Sequence, residues 1–207
     1  KRCPFDQPDV ASTKAAALKF LAEGCPKPDF TENFIGNVNM SEAEVTIAPC
    51  IKSDTLMGAL RNLFASIKPG DYFALDAFLP FDGEGRREAL EVIRHGVADK
   101  LGVVSCLEIG PRYLHSTGQL QKGGPNMGVF LMVSANELKD IPLRHVEPES
   151  LGMLARTQAA ADLSILIERG RRCMHLHLPD NSGVTIRALG DAVMKVLDEI
   201  ERERAAE

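Results

Sequence analysis

Two observations predict an α/β protein, a three-layer sandwich with a mostly parallel, doubly wound sheet and helices on both faces. Apolar runs alternate with helical patterns from residue 72 to the end of the chain. The runs 72–79, 103–109, 129–133 and 173–178 are also close to continuously apolar, as strands covered on both sides are.

The elements follow in chain order. Residues 11–23 are strong helix formers with Leu18 and Leu21 as apolar positions and Gly24 as a stop. Pro26, Pro28 and Gly36 mark 24–42 as an exposed connector, with a short strand near 44–48 beyond it. Ser53 and Asp54 are candidate caps for a helix over 55–67, which carries Leu56, Leu60, Leu63 and Ile67 on one face. Pro69-Gly70-Asp71 is a turn. After the strand 72–79 comes a helix over 84–101 with Leu90, Ile93 and Val97 inward, then the strand 103–109. A short helix is expected to begin near Ser116. Helices over 151–169 and 184–203 flank the strand 173–178, and the charged tail 199–207 is expected to fray. The predicted division is an N-terminal helix and connector over 1–42 and an α/β domain over 43–207.

Composition narrows the partners. Hydrophobic content of 44% and charged content of 26% across 207 residues suit a folded globular chain. The net charge of −5 provides no basic field for nucleic acid or for an anionic membrane surface, so neither is expected as a partner. No apolar run reaches the ~20 residues of a membrane span. The five cysteines are scattered without a CxxC pair, which predicts reduced thiols in a cytoplasmic protein, with Cys106 and Cys173 buried. The absence of an initiator methionine leads to the expectation of a fragment or a processed chain.

The most distinctive stretch lies between two strands, at residues 109–133. It holds five glycines, two prolines, His115, Arg112, Lys122 and several hydroxyl and amide side chains. Glycine admits a ligand close to the backbone, and Ser116, Thr117 and Gln119 offer donors and acceptors for hydroxyl groups. The segment follows the carboxyl end of a strand, where ligands bind in open parallel sheets. It reads as a ligand loop.

The residues Gly110-Pro-Arg-Tyr-Leu-His-Ser-Thr-Gly-Gln119, followed by Lys122-Gly-Gly-Pro-Asn126, closely resemble the C-terminal region of bacterial glucose-6-phosphate isomerases, above all the form fused to transaldolase. The resemblance extends through Pro69-Gly-Asp-Tyr-Phe-Ala-Leu75, through Gln158, Asp162 and Glu168-Arg-Gly-Arg-Arg172, and through Pro4-Phe-Asp-Gln-Pro-Asp-Val10. It implies a sugar-isomerase-like fold, with 1–42 ending a preceding isomerase half. It also implies interconversion of glucose 6-phosphate and fructose 6-phosphate through a cis-enediol, with no cofactor and no metal.

The resemblance implies roles residue by residue. Lys14 falls seven positions after Gln7 in the Phe5-Asp6-Gln7 signature and would assist ring opening, with Gln7 holding the sugar. His115 would do acid–base work on the ring oxygen, since imidazole exchanges protons near neutrality. Arg112 and Lys122 would hold a phosphate, and Ser116, Thr117, Gly118 and Gln119 would add donors at a helix start. Three departures stand out. Position 9 is Asp and position 11 is Ala where the broader signature differs, and Gln121 replaces a second histidine. The motif that supplies the family's base, Glu-Ser-Asn/Thr-Gly-Lys, is absent and is expected in an upstream half. The partners implied are the sugar phosphates, the remainder of an isomerase chain and a second copy in a homo-oligomer. The other reading is a non-catalytic sugar-phosphate binding or assembly module.

Three further groups invite a blander reading. His175 and His177 share one strand face, which suggests a polar face before it suggests metal. Asp76 interrupts an apolar run and needs a partner if buried. Arg169, Arg171 and Arg172 read as a solvated helix end.

Overall fold

The computed structural model describes residues 7–34, 42–80, 83–143 and 150–206. The helices are α1 (Pro8–Glu23), α2 (Leu56–Ala65), α3 (Arg86–Leu101), α4 (His115–Gly123), α5 (Leu151–Glu168) and α6 (Gly183–Ala206). The strands are β1 (Phe30–Asn33), β2 (Glu42–Ile47), β3 (Tyr72–Phe78), β4 (Val104–Ile109), β5 (Gly128–Ala135) and β6 (Arg172–Leu178). They form one six-stranded sheet in the order β1-β2-β6-β5-β3-β4. The four strands from β6 to β4 run parallel, and β1 and β2 add an antiparallel margin. The α/β sandwich expected from the alternating pattern is what the chain adopts.

Local chemistry sets several boundaries. Thr55, rather than Ser53 or Asp54, caps α2: its hydroxyl accepts from the Gly58 N–H at 3.2 Å, while Ser53 folds back onto Thr55. Ser150 caps α5 in the same way through Met153. Gly102 ends α3 at φ 66°, a left-handed conformation that glycine adopts without penalty. The predicted break at 42/43 has no counterpart in the packing. β1 lies within the supposed connector yet pairs with β2, and α1 packs on α5. The tail is helical to Ala206 and is tied down by Arg61–Glu203 and Lys100–Glu201 ion pairs.

Register gives the two faces of the sheet different characters. One face carries Phe73, Leu75 and Ala77 of β3, Val129, Leu131 and Val133 of β5, and Met174, Leu176 and Leu178 of β6, all buried. Phe64 of α2 stacks edge-on against Phe73 here, and α3 and α6 pack together on the same side. The other face carries Asp76, Ser134, His175 and His177 in matching rows. Helix α5 covers it, with α1 and α4 packed alongside. Strand β4 is the edge on the parallel side, and Val104 at its start is 76% exposed.

Candidate functional site

The segment after β4 begins with a close approach. A side chain at Gly110 would place its Cβ 2.7 Å from the Phe78 ring, so only glycine lets the chain turn there. Tyr113 then stacks edge-on against the same ring, and α4 starts at His115, within a residue of the expected Ser116.

Between α1, α4 and α5 lies a cavity of about 120 Å3. Lys14 comes from α1, His115, Gly118 and Lys122 from α4, and Gln158 and Asp162 from α5, with Tyr113 and Pro111 closing one side. Lys14 and His115 are exposed and stand at its rim. Gly118 is buried, and a Cβ there would reach 3.3 Å from the Tyr113 ring and 3.4 Å from Lys122 Nζ. Its bareness keeps the floor open.

The floor is charged and dry. Lys122, 2% exposed, sets Nζ 2.6 Å from Asp162 Oδ1, and the Tyr113 hydroxyl donates to Asp162 Oδ2. One layer deeper, Asp76 on β3 accepts from the Gln121 amide at 3.2 Å. Burial disfavours the charged form of each group. It pushes the Asp162 carboxyl up to about 7 against a lowering contact from Thr13, and the Lys122 ammonium down to about 8 against the pull of Asp76 and Asp9. Asp76 also rises to about 7, through burial first and the charge of Asp162 second. Three titratable groups beneath the motif are therefore brought towards neutrality.

Other expected site residues are placed differently. Lys122 is a buried ion-pair partner rather than a free phosphate base. Arg112 lines a separate cavity of about 250 Å3 with Pro80, Lys139 and Asp140, so the expected Arg112–Lys122 phosphate pair is not assembled. Gln119 is engaged with α1: its amide donates to Asp9 Oδ2 and its carbonyl accepts from the Asp9 N–H at 3.1 Å. Ser116 and Thr117 do not line the cavity of Lys14 and His115. Gln7 precedes α1 as its cap residue, exposed and without a side-chain cap hydrogen bond, while Phe5 and Asp6 lie outside the described residues.

The arginines are clamps, not a solvated helix end. Arg169 holds Asp9 at 2.7 Å, and Arg171, 5% exposed, donates to the carbonyls of Lys122 and Gly124. Arg172 pairs with Asp71 at 2.7 Å. Two of these arginines, Arg169 and Arg171, reach the motif or the α1 residue clasped to it.

The histidine pair belongs to a second network on the same sheet face. His177 Nε2 lies 3.2 Å from the Arg156 guanidinium and 3.1 Å from Asn136 Oδ1. Its Nδ1 is hydrogen-bonded with Ser134 Oγ at 2.8 Å, and the same hydroxyl is hydrogen-bonded with His175 Nε2 at 2.7 Å. Burial, with the Arg156 charge, pulls His175 down to about 4 and His177 to about 3, so both rings are neutral at pH 7.

Asp162, Gln158 and Tyr113 were not singled out as site residues from sequence. The signals available were their place in the stretches that carry the resemblance and the four-residue spacing of Gln158 and Asp162, which places both on one face of α5.

No protein-family model and no curated protein matches the chain. Among solved structures, the crystal structure of a hypothetical protein from Thermus thermophilus is similar, with a TM-score of 0.54 and 20% identity. The match covers 69% of this chain and 38% of that one, so this chain spans well under half the length of the protein it resembles. The likeness is one of fold: an α/β chain with a mostly parallel six-stranded sheet flanked by helices.

Proposed function

We propose that this chain is the C-terminal part of a glucose-6-phosphate isomerase, with the α1–α4–α5 cavity as its share of the sugar site. One observation carries the reading. Lys14 and His115 are the residues to which the resemblance gives catalytic roles, and they come from segments a hundred residues apart onto the rim of one cavity. In the proposed reaction His115 protonates the ring oxygen as the sugar opens, with Lys14 beside the hydroxyl region. A base then removes the C2 proton of the open aldose while O1 takes up a proton, giving a cis-enediol, and the base returns its proton at C1 while O2 gives up its own, giving the ketose. That base is the glutamate of an upstream half.

A second reading, a sugar-phosphate binding module without turnover, has its own support. Asp162 is the cavity's carboxylate, and Lys122 and Tyr113 both hold it. No helix among the described residues is long and apolar enough to cross a membrane, and with the scattered free cysteines this supports a cytoplasmic setting. Association with the rest of an isomerase chain, or with a second copy, would cover the exposed Leu114 and Leu120 beside the site.

Calorimetric titration with fructose 6-phosphate and the enediol mimic 5-phosphoarabinonate, beside a coupled isomerase assay, tests both readings. The expected result is binding that His115→Ala and Lys14→Ala weaken, with turnover appearing only when an upstream half bearing the glutamate is supplied. Turnover by the isolated chain would mean that the base is already present. Absence of binding to either compound would sink both readings.

A further inference from the structure

Helix α5 presents two side chains to the cavity, Asp162 and, one turn earlier, Gln158. Asp162 is fully engaged. Gln158 is not: its Oε1 is buried and has no hydrogen-bond partner. A buried acceptor left without a donor is costly, so such groups are nearly always answered by protein, water or ligand.

No donor of the cavity wall reaches it. The Tyr113 hydroxyl and Lys122 Nζ hold Asp162, the Thr13 hydroxyl donates to the carbonyl of Asp9 at 3.1 Å, and Lys14 and His115 stand exposed at the rim. The Gly118 N–H donates to the Leu114 carbonyl within α4. What remains is the cavity itself.

We infer that Gln158 is a ligand-binding residue whose side-chain carbonyl accepts a hydrogen bond from a hydroxyl group of the sugar. This rests on the reading of the cavity as a sugar-phosphate site and deepens it. The chemistry selects the end of the ligand that enters. An ionised phosphate offers acceptors only and cannot satisfy an acceptor, whereas a sugar hydroxyl brings a proton. The hydroxyl-bearing carbons therefore lie inward against α5. The phosphate stays towards the solvent-facing mouth of the cavity.

Gln158→Leu keeps the volume and the helix propensity while removing the acceptor. Circular dichroism and thermal melting of the variant report its folding. The expected melting temperature is unchanged or higher, because an unanswered acceptor has been removed; a role in holding the protein together would lower it. Fructose 6-phosphate, its monodeoxy analogues and the neutral polyol glucitol are then titrated into both proteins.

The expected result is a loss of about fivefold to tenfold in fructose 6-phosphate affinity in the variant, the size of one neutral hydrogen bond. One deoxy analogue should bind the parent protein correspondingly weakly and bind the variant no worse than fructose 6-phosphate does. Equal binding of fructose 6-phosphate by both proteins overturns the role of Gln158 and leaves the site. Glucitol binding that the variant loses, without fructose 6-phosphate binding by the parent, keeps Gln158 as a hydroxyl reader and overturns the sugar-phosphate reading. No binding of any of these compounds by the parent overturns both, as a fall in melting temperature overturns Gln158 alone.

Discussion

Two polar networks lie on one face of one sheet, similarly buried, and they answer protons in opposite ways. Beneath α4, Asp76 and Asp162 are raised to about 7, so the folded state holds protons that the unfolded chain has released. Between pH 4 and 7 that network loses stability as pH rises. Around Ser134, His175 and His177 are lowered to about 4 and 3, so the unfolded chain binds protons that the folded state refuses. That network loses stability as pH falls below about 6.5. The difference follows from charge type under the same desolvation.

Breaking the charged network should cost most. Asp162→Ala leaves Lys122 buried without its carboxylate and should destabilise the chain by about 4 kcal/mol in urea denaturation. Replacing the pair together, by Asp162→Leu with Lys122→Met, should recover most of that loss. On the apolar face, which has no protons to exchange, Leu131→Ala should cost about 3 kcal/mol with little change between pH 5 and 8. A strong pH dependence in that variant would show that the two faces are coupled. Ser134→Ala removes the one hydroxyl that bridges His175 and His177, and a loss of about 2 kcal/mol is expected by thermal melting.

The smallest effect sharpens the contrast most. Asp76→Asn keeps an acceptor for Gln121 and removes one of the two raised carboxyls. Its stability relative to the parent should improve from pH 5 to pH 7, by about 1 kcal/mol or more, since one pKa unit is worth about 1.4 kcal/mol. His175→Gln should do the reverse and flatten the fall towards acid pH. Parallel shifts of the two variants would refute the opposed signs.

Much of the fold was legible because its signals are local. The apolar runs of β3, β5 and β6 and the one-sided leucines of α2 announce themselves in neighbouring residues. β1 was not legible, because Phe30–Asn33 is a short, half-exposed strand set among prolines and formed only by pairing with β2. Of the site, the juxtaposition of Lys14 and His115 was anticipated through resemblance. The fates of Lys122, Gln119 and Arg171 were not. Each is decided by a partner about forty or more residues distant, and a base in a glycine-rich segment reads alike whether it faces solvent or a buried carboxylate. Asp76 was ambiguous for the same reason, until Gln121 was found above it.

Helix α1, one wall of the cavity, buries a single residue, and that residue is Asp9. Beside its packing on α5 and α4, it is fastened by a latch of Arg169 and Gln119 closing on one carboxylate, with Arg169 42% exposed at its side chain. An ionic latch near solvent weakens as electrolyte screens it, whereas the apolar sheet behind it does not. Local opening of this wall should therefore come well before global unfolding, with α1 amides exchanging with deuterium ahead of those in β5. Added salt should widen the gap, and a bound sugar spanning Lys14 and Gln158 should narrow it by fastening the wall from inside.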